Sequence, residues 1–268
     1  MTIPIACAQI ACSVFDPGSN LDKADHFIRE AAQQGAKLIL LPECLTTGYT
    51  YDRRLHDFAE PIGGSSTRWL QRRSRQTGCW IGAGIVERGA DGIFDTFVLT
   101  GPDGEVLSYR KRHPAFFEML YFGRGREIGI FNTALGRIGV MICWDMVHAR
   151  LAQGMDGRID LLLVTSAWPD VSQGNIPLYG MRGWLSRPPR QRPPQLALEL
   201  NVPVAYCNMR GAFITKVPGL GLTYRCPFAG CSSITDHEGQ TVKAIGTEEA
   251  VFVADVRVGE ERGPKKAA

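Results

Sequence analysis

The stretch RIGVMICWDM, residues 137–146, reads as a buried strand running into a helix. Ile138, Val140 and Ile142 alternate with Gly139, Met141 and Cys143, the period that sends successive side chains to opposite faces of a sheet. Trp144 and Asp145 follow, and a helical pattern starts close behind them. Cys143 therefore stands where a strand ends. A structural thiol is at home anywhere in a core. A nucleophile needs an exposed, rigidly held and electropositive position, and a strand-to-helix junction is expected to offer all three.

Strand and helix signals alternate on both sides of this junction. Upstream, IPIACAQI is a strand. Ser19 is expected to cap the next helix, with Asp22 three residues on in a weak form of the capping box. Leu21, Ala24, Phe27, Ile28, Ala31 and Ala32 recur at helical spacing, and Gly35 closes the helix. KLILLPE is a second strand, and another helix covers residues 66–76. CWIGAGIVE, IFDTFVLT and EVLSYRK are strands, the last two joined by the turn GPDG. Downstream come a helix near residues 146–154, the strand IDLLLVTSAW, the helix QLALELN and the strand VPVAYCN. GCSSITD, the turn HEGQ, and the strands TVKAI and AVFVADV close the pattern. SRPPRQRPP, residues 186–194, reads as an exposed loop, since stacked prolines and arginines cannot enter a sheet. No linker or repeat interrupts the alternation, so residues 1–268 are expected to form one α/β domain.

Composition narrows the function. Hydrophobic content of 44% and charged content of 21% are ordinary for a globular chain. The net charge of +3 is too small and too evenly spread to imply a nucleic acid or a membrane surface as partner. No signal-peptide pattern opens the sequence, and no uncharged apolar run approaches the roughly 20 residues of a membrane span. The expectation is a soluble, cytoplasmic protein whose eight cysteines are reduced, most of them small core hydrophobes. None forms a C-x-x-C pair, Cys226 and Cys231 being the nearest approach to one, and the five histidines are scattered, so no zinc site is expected. GAGIVE, residues 82–87, lies inside a strand pattern and lacks the third glycine of a dinucleotide fingerprint.

Three more charged residues share the setting of Cys143. Glu43 follows a buried strand that Pro42 stops, Lys111 ends another, and Glu118 lies between Phe116, Phe117, Met119 and Leu120, apolar flanks expected to hold it rigidly. A carboxylate at the tip of an apolar strand is costly unless it is paired or working. Singly, each has a plain structural reading: a cap, a solvated cation, an inert core thiol.

Together, Glu43 in LPE, Lys111 in YRK, Glu118, and Cys143 in a GxxxCW context resemble the nitrilase superfamily of carbon–nitrogen hydrolases in order and spacing. The resemblance covers nearly the whole chain. ACAQI is similar to that family's first strand, LGRIGVMICWD to its nucleophile segment, DLLLVTSAW to the strand after it, and FAGCSSITDHEGQTV to its closing hairpin. The resemblance implies a four-layer α-β-β-α sandwich that assembles as a homodimer or higher homo-oligomer, with a small-molecule substrate and neither metal nor organic cofactor. It also implies that Glu43, Lys111, Glu118 and Cys143 are catalytic and that Trp144, Tyr49 and Trp168 lie at the oxyanion and substrate side.

The chemistry explains why these residue types go together. A free thiol is only a few per cent thiolate at neutral pH, so Cys143 needs a base or a cation beside it. Glu43 is the expected base, and its proton later goes to the leaving amine. Lys111 and the backbone N–H of Trp144 are expected to stabilise the charge developing on the substrate heteroatom, where losing one donor costs about 2.7–4 kcal/mol of barrier. Glu118 is expected to orient Lys111 without exchanging protons. Asp145 stands where true nitrilases usually carry Glu, which favours a small non-peptide amide or N-carbamoyl substrate over a nitrile. A catalytically silent binding protein on the same fold is the alternative of another class, against which the four filled positions argue. Arg182, Arg187, Arg190 and Arg192 read as solvated surface rather than as partners of a substrate carboxylate.

Overall fold

The computed structural model describes residues 1–176 and 185–259. The first half of the chain runs β1 (Thr2–Gln9), α1 (Pro17–Gln33), β2 (Leu38–Leu40), α2 (Leu55–Phe58), α3 (Ser65–Thr77), β3 (Trp80–Gly89), β4 (Gly92–Thr100) and β5 (Val106–Arg110). The second runs β6 (Ile130–Thr133), β7 (Gly136–Ile142), α4 (Ala149–Met155), β8 (Leu161–Ser166), α5 (Pro188–Leu200) and β9 (Val204–Asn208). It closes with β10 (Ala212–Lys216), β11 (Thr223–Pro227), β12 (Ser233–Thr235), β13 (Thr241–Ala244) and β14 (Ala250–Arg257).

Two six-stranded sheets result, ordered β14-β1-β2-β3-β4-β5 and β13-β12-β9-β8-β7-β6, with β10 and β11 as a separate hairpin. Alternation along β1 shows how the layers form. Ile5 and Cys7 enter a buried cluster shared with Val140 and Leu163 of the second sheet. Ala6 and Ala8 face the other way, onto Ala24, Ile28 and Ala31 of α1. On the far side, α5 packs against β9 and β12 while α4 packs against α5. The layering is therefore α-β-β-α, as the resemblance implies. β7, β8 and β9 are parallel neighbours buried on both faces, which is why β8 reads LLLVTS without a polar alternation. Thr165 Oγ1 donates to the Leu41 carbonyl at 2.7 Å and ties the two sheets at the ends of β2 and β8.

Several expectations are corrected. Helix α1 is capped by Asp16, whose carboxylate accepts from Ser19 N at 3.1 Å, and not by Ser19. Pro17 takes the first helical position, where its fixed φ suits the helix and its missing N–H is not needed. SRPPRQRPP is not a loop: most of it is the start of α5. Pro188 and Pro189 occupy the first turn, whose N–H groups have no partner in any helix. Pro193 and Pro194 do forfeit ladder bonds, yet Pro189, Pro193, Leu196, Ala197 and Leu200 recur at helical spacing and form the buried face. Packing overrides the local rule. Arg187 and Arg190 are exposed as expected, whereas Arg192 donates to the Met146 carbonyl at 3.0 Å and pairs with Glu199 at 2.8 Å. Arg182 lies outside the described residues. Strands β6, β10 and β11 were not marked by the sequence pattern. Among the described residues no helix is long and apolar enough to cross a membrane.

Candidate active site

Strand ends build the site. β2 stops short of Pro42, and the next residue, Glu43, is fully buried. Gly84 of β3 holds this turn: its N–H donates to the Pro42 carbonyl at 3.0 Å and its carbonyl accepts from Leu45 N at 2.8 Å. A Cβ on Gly84 would lie 2.6 Å from Glu43 Cα. In GAGIVE, Gly84 thus permits close backbone approach, while Gly82 makes room for the Phe97 ring. Lys111 follows β5, its N–H donating to the Asp95 carbonyl at 2.8 Å, and Glu118 sits in a short 3-10 turn, Phe116–Leu120.

Cys143 follows β7 with φ of 48°, in the left-handed region that a side chain occupies at a cost of order 1–3 kcal/mol. Asp145 holds this bend. Its buried carboxylate accepts from Ile142 N at 3.2 Å, from Tyr109 Oη at 2.8 Å and from His113 N at 2.9 Å.

Lys111 Nζ stands 2.6 Å from Glu43, 2.9 Å from Glu118 and 3.1 Å from Asp95, all with fully buried side chains. The other oxygen of Glu43 accepts from Ala167 N at 2.6 Å. Glu118 accepts from Ala115 N at 2.6 Å and from the Tyr49 hydroxyl. These donors, rather than apolar flanks, make Glu118 rigid: Phe116, Phe117, Met119 and Leu120 are 41–67% exposed, which corrects the sequence expectation. The carboxylates of Glu43, Asp95 and Glu118 approach within 4.8 Å of one another, a donor set suited to a hard cation. The Lys111 ammonium contacts all three, so the set already holds a cation.

Burial works against every charge here. Desolvation pulls the Lys111 ammonium down, but Glu118, Glu43 and Asp95 outweigh it and hold its pKa well above the usual range. Burial and the neighbouring Glu43 charge push the Asp95 carboxyl well up. Glu118 is pushed up too, by burial against the pull of Lys111. The Cys143 thiol is raised well above its ordinary value by burial first and by Glu43 second, with Lys111 and a hydrogen bond to Ser166 opposing. The expectation of an exposed, electropositive cysteine is therefore corrected: Cys143 is buried and faces two carboxylates and one ammonium. Its proton has to be removed by a base when it reacts.

The other expected residues gather around it. A cavity of about 450 Å³ opens over Cys143, with Tyr49, Trp144 and Trp168 in its wall. Trp144 stacks on Trp168 at 5.1 Å and packs against Phe116 at 5.0 Å. Trp168 is fixed by its N–H to Asn208 at 2.7 Å and by its indole N–H to the Leu185 carbonyl at 2.8 Å. All seven site residues named from the sequence thus line the cavity or join the ion cluster behind it. Sequence reasoning missed Asp95 and Ser166. Both lie within strands, and only the register of the sheets brings Asp95 to Lys111 and Ser166 to Cys143.

The chain matches the carbon-nitrogen hydrolase family over residues 4–263. It is 37% identical to the omega-amidase NIT2 of Homo sapiens over 248 residues, 88% of this chain and 82% of that protein. It is 35% identical to a nitrilase of Pyrococcus abyssi over 148 residues, a match spanning about half of each chain, 53% here and 56% there. The crystal structure of XC1258 from Xanthomonas campestris, a CN-hydrolase superfamily protein, aligns with a TM-score of 0.79 at 24% identity, over 96% of this chain and 91% of that one, which is a likeness of fold. The chain belongs to the carbon–nitrogen hydrolase family, and it is a hydrolase of carbon–nitrogen bonds.

Proposed function

We propose that the chain hydrolyses a small non-peptide amide or N-carbamoyl compound through a thioester on Cys143, releasing ammonia or an amine. The observation that carries this reading is one juxtaposition: Cys143 lies in the cavity wall and within electrostatic reach of the buried Glu43–Lys111 pair. Glu43 takes the thiol proton as sulfur attacks the carbonyl carbon, because the raised thiol holds no standing thiolate. Lys111 and the Trp144 N–H stabilise the oxyanion of the tetrahedral adduct. The C–N bond then breaks, and the departing nitrogen takes the proton from Glu43. Water, deprotonated by the same carboxylate, adds to the thioester; the C–S bond breaks, the acid leaves and the thiol regains its proton. Glu118, with all its donors fixed, positions Lys111 and exchanges no proton.

Nitrile hydrolysis is the second reading, favoured by the likeness to the Pyrococcus abyssi nitrilase. The enzyme acts in the cytoplasm as a homodimer or higher homo-oligomer, a reading supported by the reactive free thiol the mechanism requires and by the family resemblance. Ammonia release from a panel of primary amides, carbamoyl amines and nitriles tests the activity. Turnover of amides or carbamoyl amines by folded protein is the expected result, turnover of nitriles alone would install the second reading, and no release from any of them would defeat both. Sedimentation at micromolar concentration giving a single species near the 29.5 kDa chain mass would refute the oligomer.

A further inference from the structure

The cavity over Cys143 carries information on the part of the substrate that does not react. Its volume of about 450 Å³ is some three times the ~150 Å³ of an engineered apolar cavity that accepts benzene. Its wall is mainly apolar and aromatic, with Phe116, Trp144, Trp168, Phe213, Leu220 and Leu222 among the side chains that line it. The polar atoms in the wall are largely turned to other protein groups. The Tyr49 hydroxyl donates to Glu118 and stands 3.3 Å from that of Tyr51, and Thr215 Oγ1 accepts from Tyr51 N at 2.9 Å. At the rim, Leu220 and Leu222 are 68% and 54% exposed, apolar surface that a ligand entering the cavity would cover.

Placing the reacting carbon at Cys143 fixes the rest of the molecule among these rings. A carboxylate there would exchange water for aromatic carbon with no cationic side chain among the described residues of the wall, which is expensive, whereas each buried methylene is favourable. Resting on the hydrolase reading above, we propose that the acyl group of the substrate is uncharged and apolar, of aryl or medium-chain alkyl size, and carries no second carboxylate.

The test compares two primary amides of matched shape, 4-methylpentanamide and succinamate, in which an isopropyl group replaces a carboxylate. Acetamide, hexanamide and phenylacetamide extend the series. The neutral member of the pair is expected to have a kcat/KM at least 100-fold higher, and activity is expected to rise roughly fourfold per methylene from acetamide to hexanamide. Leu222→Arg, at the rim, is expected to narrow the matched-pair ratio at least tenfold. Equal or better turnover of succinamate, or a ratio that Leu222→Arg leaves unchanged, overturns the proposal. Calorimetric binding of the same pair to Cys143→Ala protein separates this from failure of the hydrolase reading. Preference for 4-methylpentanamide in binding supports the apolar site whether or not any amide is turned over. Preference for succinamate defeats it even in an active amidase.

Discussion

Cys44 and Cys143 are near-duplicates in local structure. Each lies just beyond a strand end, each has a left-handed backbone, with φ of 50° and 48°, and each is buried. Burial pushes both thiols well above their ordinary pKa, with acidic neighbours adding to it: Asp95 and Glu43 at Cys44, Glu43 at Cys143. What differs is the surroundings. Cys143 lines the cavity, while Cys44 is packed among Val86, Ala167 and Met209. Proton affinity does not separate a working thiol from a structural one here. Access does, together with a base placed to act when the substrate arrives.

The most severe test of the contrast removes each sulfur in turn. Cys143→Ala is expected to lower kcat/KM on the best amide by on the order of 10⁴-fold or more, the scale of losing a covalent nucleophile. Cys44→Ala should keep activity within tenfold and cost about 1 kcal/mol of stability in a denaturant titration. A folded but dead Cys44→Ala protein would break the comparison. Glu43→Gln is expected to match Cys143→Ala, since an amide cannot shuttle a proton, and Lys111→Ala should come close behind it. Circular dichroism has to show both folded.

Labelling sharpens the contrast without mutation. Limited iodoacetamide followed by peptide mapping should modify Cys143 and leave Cys44 and Cys207 untouched. Because the Cys143 pKa is raised, its thiolate fraction falls below that of a free thiol at neutral pH. The labelling rate should therefore climb about tenfold per pH unit through pH 8. A rate plateau below pH 8 would mean a standing thiolate and would remove the need for Glu43 as base. Glu118→Gln keeps the shape and part of the hydrogen bonding, so a loss of about 10²-fold is expected. If Glu118→Gln is dead while Glu43→Gln turns over normally, the two carboxylates have been assigned the wrong way round.

The smallest effect is expected at Asp95. Its carboxyl is raised, so the folded protein keeps a proton there that the unfolded chain loses at lower pH. Stability from this group is complete in acid and declines as pH rises past the ordinary carboxylate range. Asp95→Asn removes that decline. It should leave kcat/KM within a few-fold at pH 7 and raise Tm at pH 8 relative to pH 4, when each is compared with wild type. A loss above 10²-fold at pH 7 would mean that Asp95 works as an ion.

Periodicity was legible wherever a strand or helix had one consistent face. β1, β8 and α1 were readable for that reason, since their burial follows directly from the sequence pattern. The starting residue of α1 was not, because Asp16 and Ser19 are both competent caps and only the position of Pro17 decides between them. The second half of α5 was legible as QLALELN, but its first half was hidden because four prolines argue against a helix locally, while the sheet they cover exerts its influence only after folding. The site residues at strand ends stood out as charges beside apolar runs. Asp95 did not, because its significance depends on strand register: Thr96 pairs with Arg110, which brings Asp95 beside Lys111. Nothing within IFDTFVLT conveys that.

The pairing of β14 with β1, in register from Thr2 with Arg257 to Gln9 with Ala250, has a temporal consequence. At the ~5–20 residues per second of protein synthesis, roughly 12–50 s pass between the emergence of the first strand and that of its partner. For that interval the nascent chain carries an apolar β1 whose hydrogen-bonding edge toward β14 is unsatisfied, a template for pairing with other chains. The fold is rich in such distant contacts and should form slowly once released. Chains ended before Ala250 should accumulate as chaperone-bound or aggregated material, even though every residue of the ion cluster has already been made.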